Sequence, residues 1–128
     1  MALIVLDASV IIAHVDDSDA LHDAAVAVLR HRKDDDLRLP ASAYAEALVG
    51  PATKGDLERG MERINMLPLR IEPIGAMVAE RAAALRAARP ALRLPDALVL
   101  GCAQALGAEE VVTADRRWRG HDRVTVIG

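Results

Sequence analysis

The sequence predicts an α/β protein in three layers, α/β/α, with a central, mostly parallel sheet of about five short strands. Three observations carry this. Short runs rich in Val, Ile and Leu alternate along the chain with longer segments of helical spacing. Ala, Leu and Arg recur throughout, and all three favour helix. The apolar content is aliphatic, with one Trp, one Tyr and no Phe.

In chain order, Ala2 to Leu6 is an apolar run ending at Asp7-Ala8-Ser9, a buried parallel strand meeting its first loop. A short helix follows from Val10 to Val15. Asp16-Asp17-Ser18-Asp19 offers several N-caps to a helix from about Ala20 to Arg32. Lys33 to Asp36 is a charged turn, and Leu37-Arg38-Leu39 before Pro40 is a second strand. Ser42 is placed to cap a helix running to Val49 and stopped by Gly50-Pro51. Thr53 and Asp56 have capping-box spacing for a helix to about Met66. Leu69 to Glu72 alternates as a third strand. Ile74 to Ala88 has helical spacing, with Met77, Val78, Ala82 and Leu85 on one face. Pro95 suits the first turn of a helix that runs to Leu106 and stops at Gly107. Glu110 to Thr113 and Val124 to Ile127 complete the strands. No repeat, low-complexity tract or long linker interrupts the pattern, so residues 1–128 read as one domain.

Composition excludes several classes. At 52% hydrophobic and 27% charged, the chain is neither disordered nor fibrous. The single cysteine, Cys102, excludes an internal disulfide and a multi-cysteine metal site, and its apolar neighbours mark it as a buried thiol. No apolar run approaches the roughly 20 residues of a membrane span, and Asp7 interrupts the N-terminal one, so a cytoplasmic protein is expected. The net charge of -3 does not decide for or against a nucleic-acid partner, because RNA responds to local arginines and metals neutralise clustered acids. Without a Gly-x-Gly-x-x-Gly or Walker-type loop, no nucleotide cofactor is expected. The four histidines, His14, His22, His31 and His121, have neither triad nor metal spacing.

Four acids stand out once placed on this layout. Asp7 follows the first strand and Asp115 the fourth, and in open parallel sheets the carboxyl ends of the strands form the ligand crevice. Glu46 interrupts an apolar helix, and Asp96 follows Pro95 at the start of another. Each has an ordinary explanation when taken alone. Asp7 suits an N-cap, Asp115 a turn, Asp96 the positive end of its helix and Glu46 a solvent face.

Together they have a context. Ile4-Val5-Leu6-Asp7-Ala8-Ser9-Val10, Tyr44-Ala45-Glu46-Ala47-Leu48, Leu94-Pro95-Asp96-Ala97-Leu98 and Val112-Thr113-Ala114-Asp115 resemble the PIN-domain ribonucleases, most of all the VapC toxins of toxin–antitoxin pairs. The first and last segments are the most specific. This resemblance implies an endoribonuclease in which Asp7, Glu46, Asp96 and Asp115 are catalytic and bind Mg²⁺ or Mn²⁺, with Ser9 and Thr113 supporting them. It implies an RNA substrate, a VapB-like antitoxin partner and a homodimer. Some relatives carry a further acid after the last Asp, where this chain has Arg116 and Arg117.

The chemistry has its own logic. Phosphodiester cleavage needs an activated water and neutralisation of growing phosphate charge, and hard carboxylate oxygens suit Mg²⁺ or Mn²⁺. The chain has no Cys or His pair at zinc spacing. Arg116 and Arg117 suit RNA phosphates, or simply a solvated face. Trp118 suits base stacking, but packing is the preferred reading. Arg86, Arg89 and Arg93 flank the approach to Asp96, where a helix C-terminus would also favour cations. The alternative function is a catalytically inactive PIN-like module that binds RNA or protein. A phosphoacceptor receiver domain is disfavoured, since it needs a late Lys and the only lysines are Lys33 and Lys54.

Overall fold

The computed structural model describes residues Met1–Gly128. Five strands, β1 (Leu3–Leu6), β2 (Asp36–Pro40), β3 (Arg70–Glu72), β4 (Glu110–Thr113) and β5 (Val124–Val126), form one sheet in the order β3-β2-β1-β4-β5. Every pairing is parallel, so the sheet is wholly rather than mostly parallel. Six α-helices flank it: α1 (Ala8–Val15), α2 (His22–His31), α3 (Ala41–Thr53), α4 (Leu57–Asn65), α5 (Ala76–Ala88) and α6 (Leu94–Leu106).

The order explains where a site forms. From β1 the chain moves outward through β2 to β3, then returns to the other side of β1 as β4 and β5. Parallel crossovers share one hand, so that reversal places the helices before and after it on opposite faces. It also leaves a crevice beyond the carboxyl ends of β1 and β4, where the chain departs in opposite directions. The sheet centre is apolar throughout: Val5, Leu6, Leu39 and Val112 have no exposed surface, and Ile4 and Leu37 have 2%. Val10 and Ile11 of α1, Val99 of α6 and Ile64 of α4 close over it. Trp118 packs into the same core at 2% exposure, as a structural anchor. Cys102 is fully buried, and burial pushes its thiol up to about 11, far from a reactive thiolate.

Several local expectations are corrected. Helix α3 does not stop at Gly50-Pro51 but continues through both to Thr53. Pro51 forgoes one helical hydrogen bond, yet its ring sits where a Cβ on Gly60 of α4 would lie, 2.7 Å from its own Cβ, so the two helices meet there. Thr53 therefore ends α3, donating to the Val49 carbonyl, and opens no capping box. Ser42 does not cap α3, whose N-cap is Pro40, and its hydroxyl is buried without a partner. Met77 faces outward at 60% exposure, while Val78 and Ala82 make the buried face of α5. There α5 crosses α6 closely: a Cβ on Gly101 would stand 3.1 Å from both the Ala82 nitrogen and the Val78 oxygen. Gly107 ends α6 in the left-handed conformation (φ 65°), as its sequence position predicts. No helix is long and apolar enough to cross a membrane.

Candidate active site

Asp7 is the best-fixed acid. It follows β1 immediately and is hydrogen-bonded by its backbone N–H to the Val112 carbonyl of β4, 2.9 Å. Although it precedes α1, its side chain caps nothing. Its Oδ2 instead accepts from Ser9 Oγ at 2.6 Å and from Thr113 Oγ1 at 2.9 Å. Each hydroxyl also accepts a backbone N–H from the segment after β4: Ala114 to Ser9 at 2.9 Å, Asp115 to Thr113 at 3.0 Å. These four hydrogen bonds tie the two loops of the crevice to one carboxylate oxygen. The other oxygen, Oδ1, takes no part in them. Ser9 and Thr113 thus both reach Asp7.

Asp96 comes from α6. That helix runs into β4, so its C-terminus lies at the amino edge of the sheet. Its thirteen residues, about 20 Å of rise, carry the N-terminus to the crevice. Asp96 sits in the first turn after Pro95 and is only 6% exposed. Burial pushes its carboxyl above the usual range, Arg93 opposes this, and the charge of Asp7 adds to it. Glu46, in the second turn of α3, is exposed. Partial desolvation raises its carboxyl, and the charges of Asp7 and Asp96 push the same way. Three acids from three elements thus sense one another.

Asp115 is held differently. It precedes the single turn of 3-10 helix at Arg116–Trp118, where it accepts the Arg117 backbone N–H at 2.9 Å. The Arg117 guanidinium then folds back onto it: Nε lies 3.0 and 3.1 Å from the two oxygens and Nη2 2.6 Å from Oδ2. These bonds hold Asp115 below the usual carboxylate range. On the other side Arg93 pairs with Asp96, its Nε 3.3 Å from Oδ2, although burial still leaves that carboxyl raised. The Arg117 charge in turn acts on Asp96 and Asp7. Two guanidiniums stand among four carboxylates, leaving two negative charges uncompensated.

In this arrangement no three acidic, His or Cys side chains come together as a ready metal cage. The sequence indicated the four acids but not that two would be paired with arginine. The i, i+3 spacing of Arg93 and Asp96 and the i, i+2 spacing of Asp115 and Arg117 are the signals that could have shown it. Arg116 is exposed, and the structure gives it no side-chain partner. Arg86 and Arg89 turn away from the acids, to the Leu92 carbonyl and to His121. Chemically the donor set is all hard oxygen, half of it buried, with an excess charge of two. Its oxygen donors would suit a divalent cation of the Mg²⁺ or Mn²⁺ type, which the arginines oppose at Asp96 and Asp115.

The family model described as PIN domain matches residues 4–124 of the chain. Among solved structures, the chain is similar to a toxin–antitoxin complex from Klebsiella pneumoniae, with 24% identity, a TM-score of 0.75 and coverage of 98% of this chain and 97% of that one. It is similar to the sarcin-ricin-loop-cleaving toxin VapC20 of Mycobacterium tuberculosis, with 17% identity, TM-score 0.80 and 98% and 99% covered. VapBC2 from Rickettsia felis, bound to a promoter DNA fragment, gives 14% identity, TM-score 0.80 and the same coverage. At these identities the structural likeness speaks for the fold alone. No curated protein sequence matches.

Proposed function

The chain belongs to the PIN-domain family, matched by its model over residues 4–124, and on that premise we propose that it is a metal-dependent endoribonuclease, the toxin of a VapBC-type toxin–antitoxin pair. One observation carries the nuclease reading. The charges of Asp7 and Asp96 act on Glu46 and that of Asp7 on Asp96, Thr113 joins Asp7 to the backbone of Asp115, and two hydroxyls orient Asp7.

In this reading Asp7, Glu46, Asp96 and Asp115 hold Mg²⁺ or Mn²⁺. A divalent cation there supplies an acidified water and neutralises charge growing on the scissile phosphate. Ser9 and Thr113 hold Asp7 in one orientation by donating to Oδ2, leaving Oδ1 for ligation. Asp96, raised by burial and the charge of Asp7, and Glu46, raised by burial and the charges of Asp7 and Asp96, bind a cation with relief of that repulsion. Arg116 and, when free of Asp115, Arg117 offer positive charge for RNA phosphates beside the acids.

The antitoxin partner is supported by the toxin–antitoxin complexes among the similar structures. A groove of about 340 Å³ between α1, α3 and α4 offers it a seat, with Ile12 and Pro51 beside Lys54, Arg59 and Arg63 and with Glu46 at its edge. A homodimer acting in the cytoplasm completes the proposal. Sedimentation of the purified chain tests the dimer.

The nuclease reading is tested by incubating partner-free protein with a panel of structured RNAs, with Mn²⁺, with Mg²⁺ and with EDTA. Cleavage that needs the metal and is lost in Asp7→Asn supports it. No cleavage of any RNA by metal-loaded protein would favour the second reading, a PIN-like binding module, which the arginine pairing of Asp96 and Asp115 makes the natural alternative.

A further inference from the structure

We propose that Arg117 and Arg93 are internal counter-cations that compete with the divalent metal for Asp115 and Asp96, so that metal entry and arginine release are one exchange. The inference rests on the metal-site reading above and concerns how this chain regulates that site.

The geometry is specific. Arg117 is bound to Asp115 through its backbone N–H and through Nε and Nη2 of its side chain, so both carboxylate oxygens are engaged. A carboxylate that accepts a guanidinium fork in this way has its ligating lone pairs committed. Arg93 engages one oxygen of Asp96, itself almost fully buried. Both arginine side chains are mainly in solvent, 65% and 58% exposed, whereas their acids are 18% and 9% exposed. The arginines can therefore swing outward at little packing cost, while the acids stay in place. Exposed ion pairs of this kind are individually weak, so a divalent cation held by several carboxylates can displace them.

The charge count agrees. With both arginines in, four carboxylates and two guanidiniums leave two negative charges, so the arginines already neutralise half of the charge that a metal would meet. With both out, the same four acids can accept a larger positive charge. Arg117 also acts electrostatically on Asp7 and Asp96, so its departure strengthens the site beyond Asp115 alone. The consequence is a site with a lowered apparent metal affinity, whose loading frees two guanidiniums at its rim.

The test is a Mn²⁺ titration followed by electron paramagnetic resonance, which reads free Mn²⁺ and requires no RNA. Wild type, Arg117→Ala, Arg117→Lys and Arg93→Ala are compared, with Asp7→Asn as the site control and circular dichroism confirming each fold. The expected result is binding tightened on the order of tenfold in Arg117→Ala, less in Arg93→Ala, and an intermediate affinity for Arg117→Lys, which keeps charge but loses the fork. The gain should shrink in high salt. Wild-type binding that Asp7→Asn abolishes, with Arg117→Ala and Arg93→Ala equal to or weaker than wild type, would overturn the exchange and leave the metal site standing. Absence of saturable Mn²⁺ binding in every protein would overturn both.

Discussion

Thr113 Oγ1 donates to Asp7 Oδ2 at 2.9 Å while accepting the backbone N–H of Asp115 at 3.0 Å. One fully buried hydroxyl thus joins the acid after β1 to the acid after β4. Valine has the same shape without the hydroxyl. Thr113→Val should destabilise the fold by about 1–3 kcal/mol, since a buried carboxylate loses one of its two donors and a backbone N–H loses its acceptor. Urea denaturation measures this. An unchanged midpoint would show that the stitch across the crevice is dispensable.

In the metal-free fold burial costs the Asp96 carboxylate more than its pairing with Arg93 returns. Burial raises its carboxyl above the ordinary range, so the charged form is disfavoured, and the resulting penalty grows as pH rises from that range through the raised value. At neutral pH Asp96→Asn removes the penalty at the cost of a mainly exposed bridge to Arg93. The metal-free melting temperature should rise by about 1–3 °C, and the further rise on adding Mn²⁺ should largely vanish. A fall in the metal-free melt would mean that the Arg93 pair outweighs burial.

Far from the site, Arg32 forks onto Glu110 with two 2.7 Å bonds, and Thr125 adds a third at 2.6 Å. Burial opposes ionisation of Glu110, but these bonds more than reverse it and hold its carboxyl below the usual range. A lowered carboxyl stabilises the fold above the ordinary value of about 4.3, and that contribution is lost as pH falls through the folded value. Glu110→Gln should cost about 1–2 kcal/mol at neutral pH and show a shallower loss of stability below pH ~4 than wild type. Parallel acid limbs for the two proteins would count against this pair as a source of acid sensitivity.

Gly101 sets the approach of α5 to α6. Gly101→Ala gains helix propensity but forces a methyl to 3.1 Å from two backbone atoms of α5. The net expectation is a loss of about 1–3 kcal/mol, read by chemical denaturation. A gain would mean that α5 yields easily.

The elements of the fold were legible where period and composition agreed. Strands β1 and β4 are short β-branched runs buried on both faces, and α6 carries Pro95 at its start and Gly107 at its end. The acids were legible because each stands at a boundary of such an element or breaks an apolar pattern. The α3–α4 junction was not. Gly50-Pro51 is a strong local stop, and only the packing of Pro51 on Gly60, a tertiary contact, carries α3 past it. Arginine pairing was hidden for a similar reason. Spacing shows that Arg117 can reach Asp115, but not that its backbone turn aims the guanidinium inward.

In the proposed nuclease, Asp7, Glu46, Asp96 and Asp115 act as one divalent-cation site. The most direct measurement is the Mn²⁺ affinity and stoichiometry of wild type beside Asp7→Asn, Glu46→Gln, Asp96→Asn and Asp115→Asn, each confirmed folded. A saturable wild-type site weakened at least about tenfold by every one of the four substitutions is the result expected, since each removes one charged oxygen ligand. Wild-type affinity retained in all four variants would contradict it.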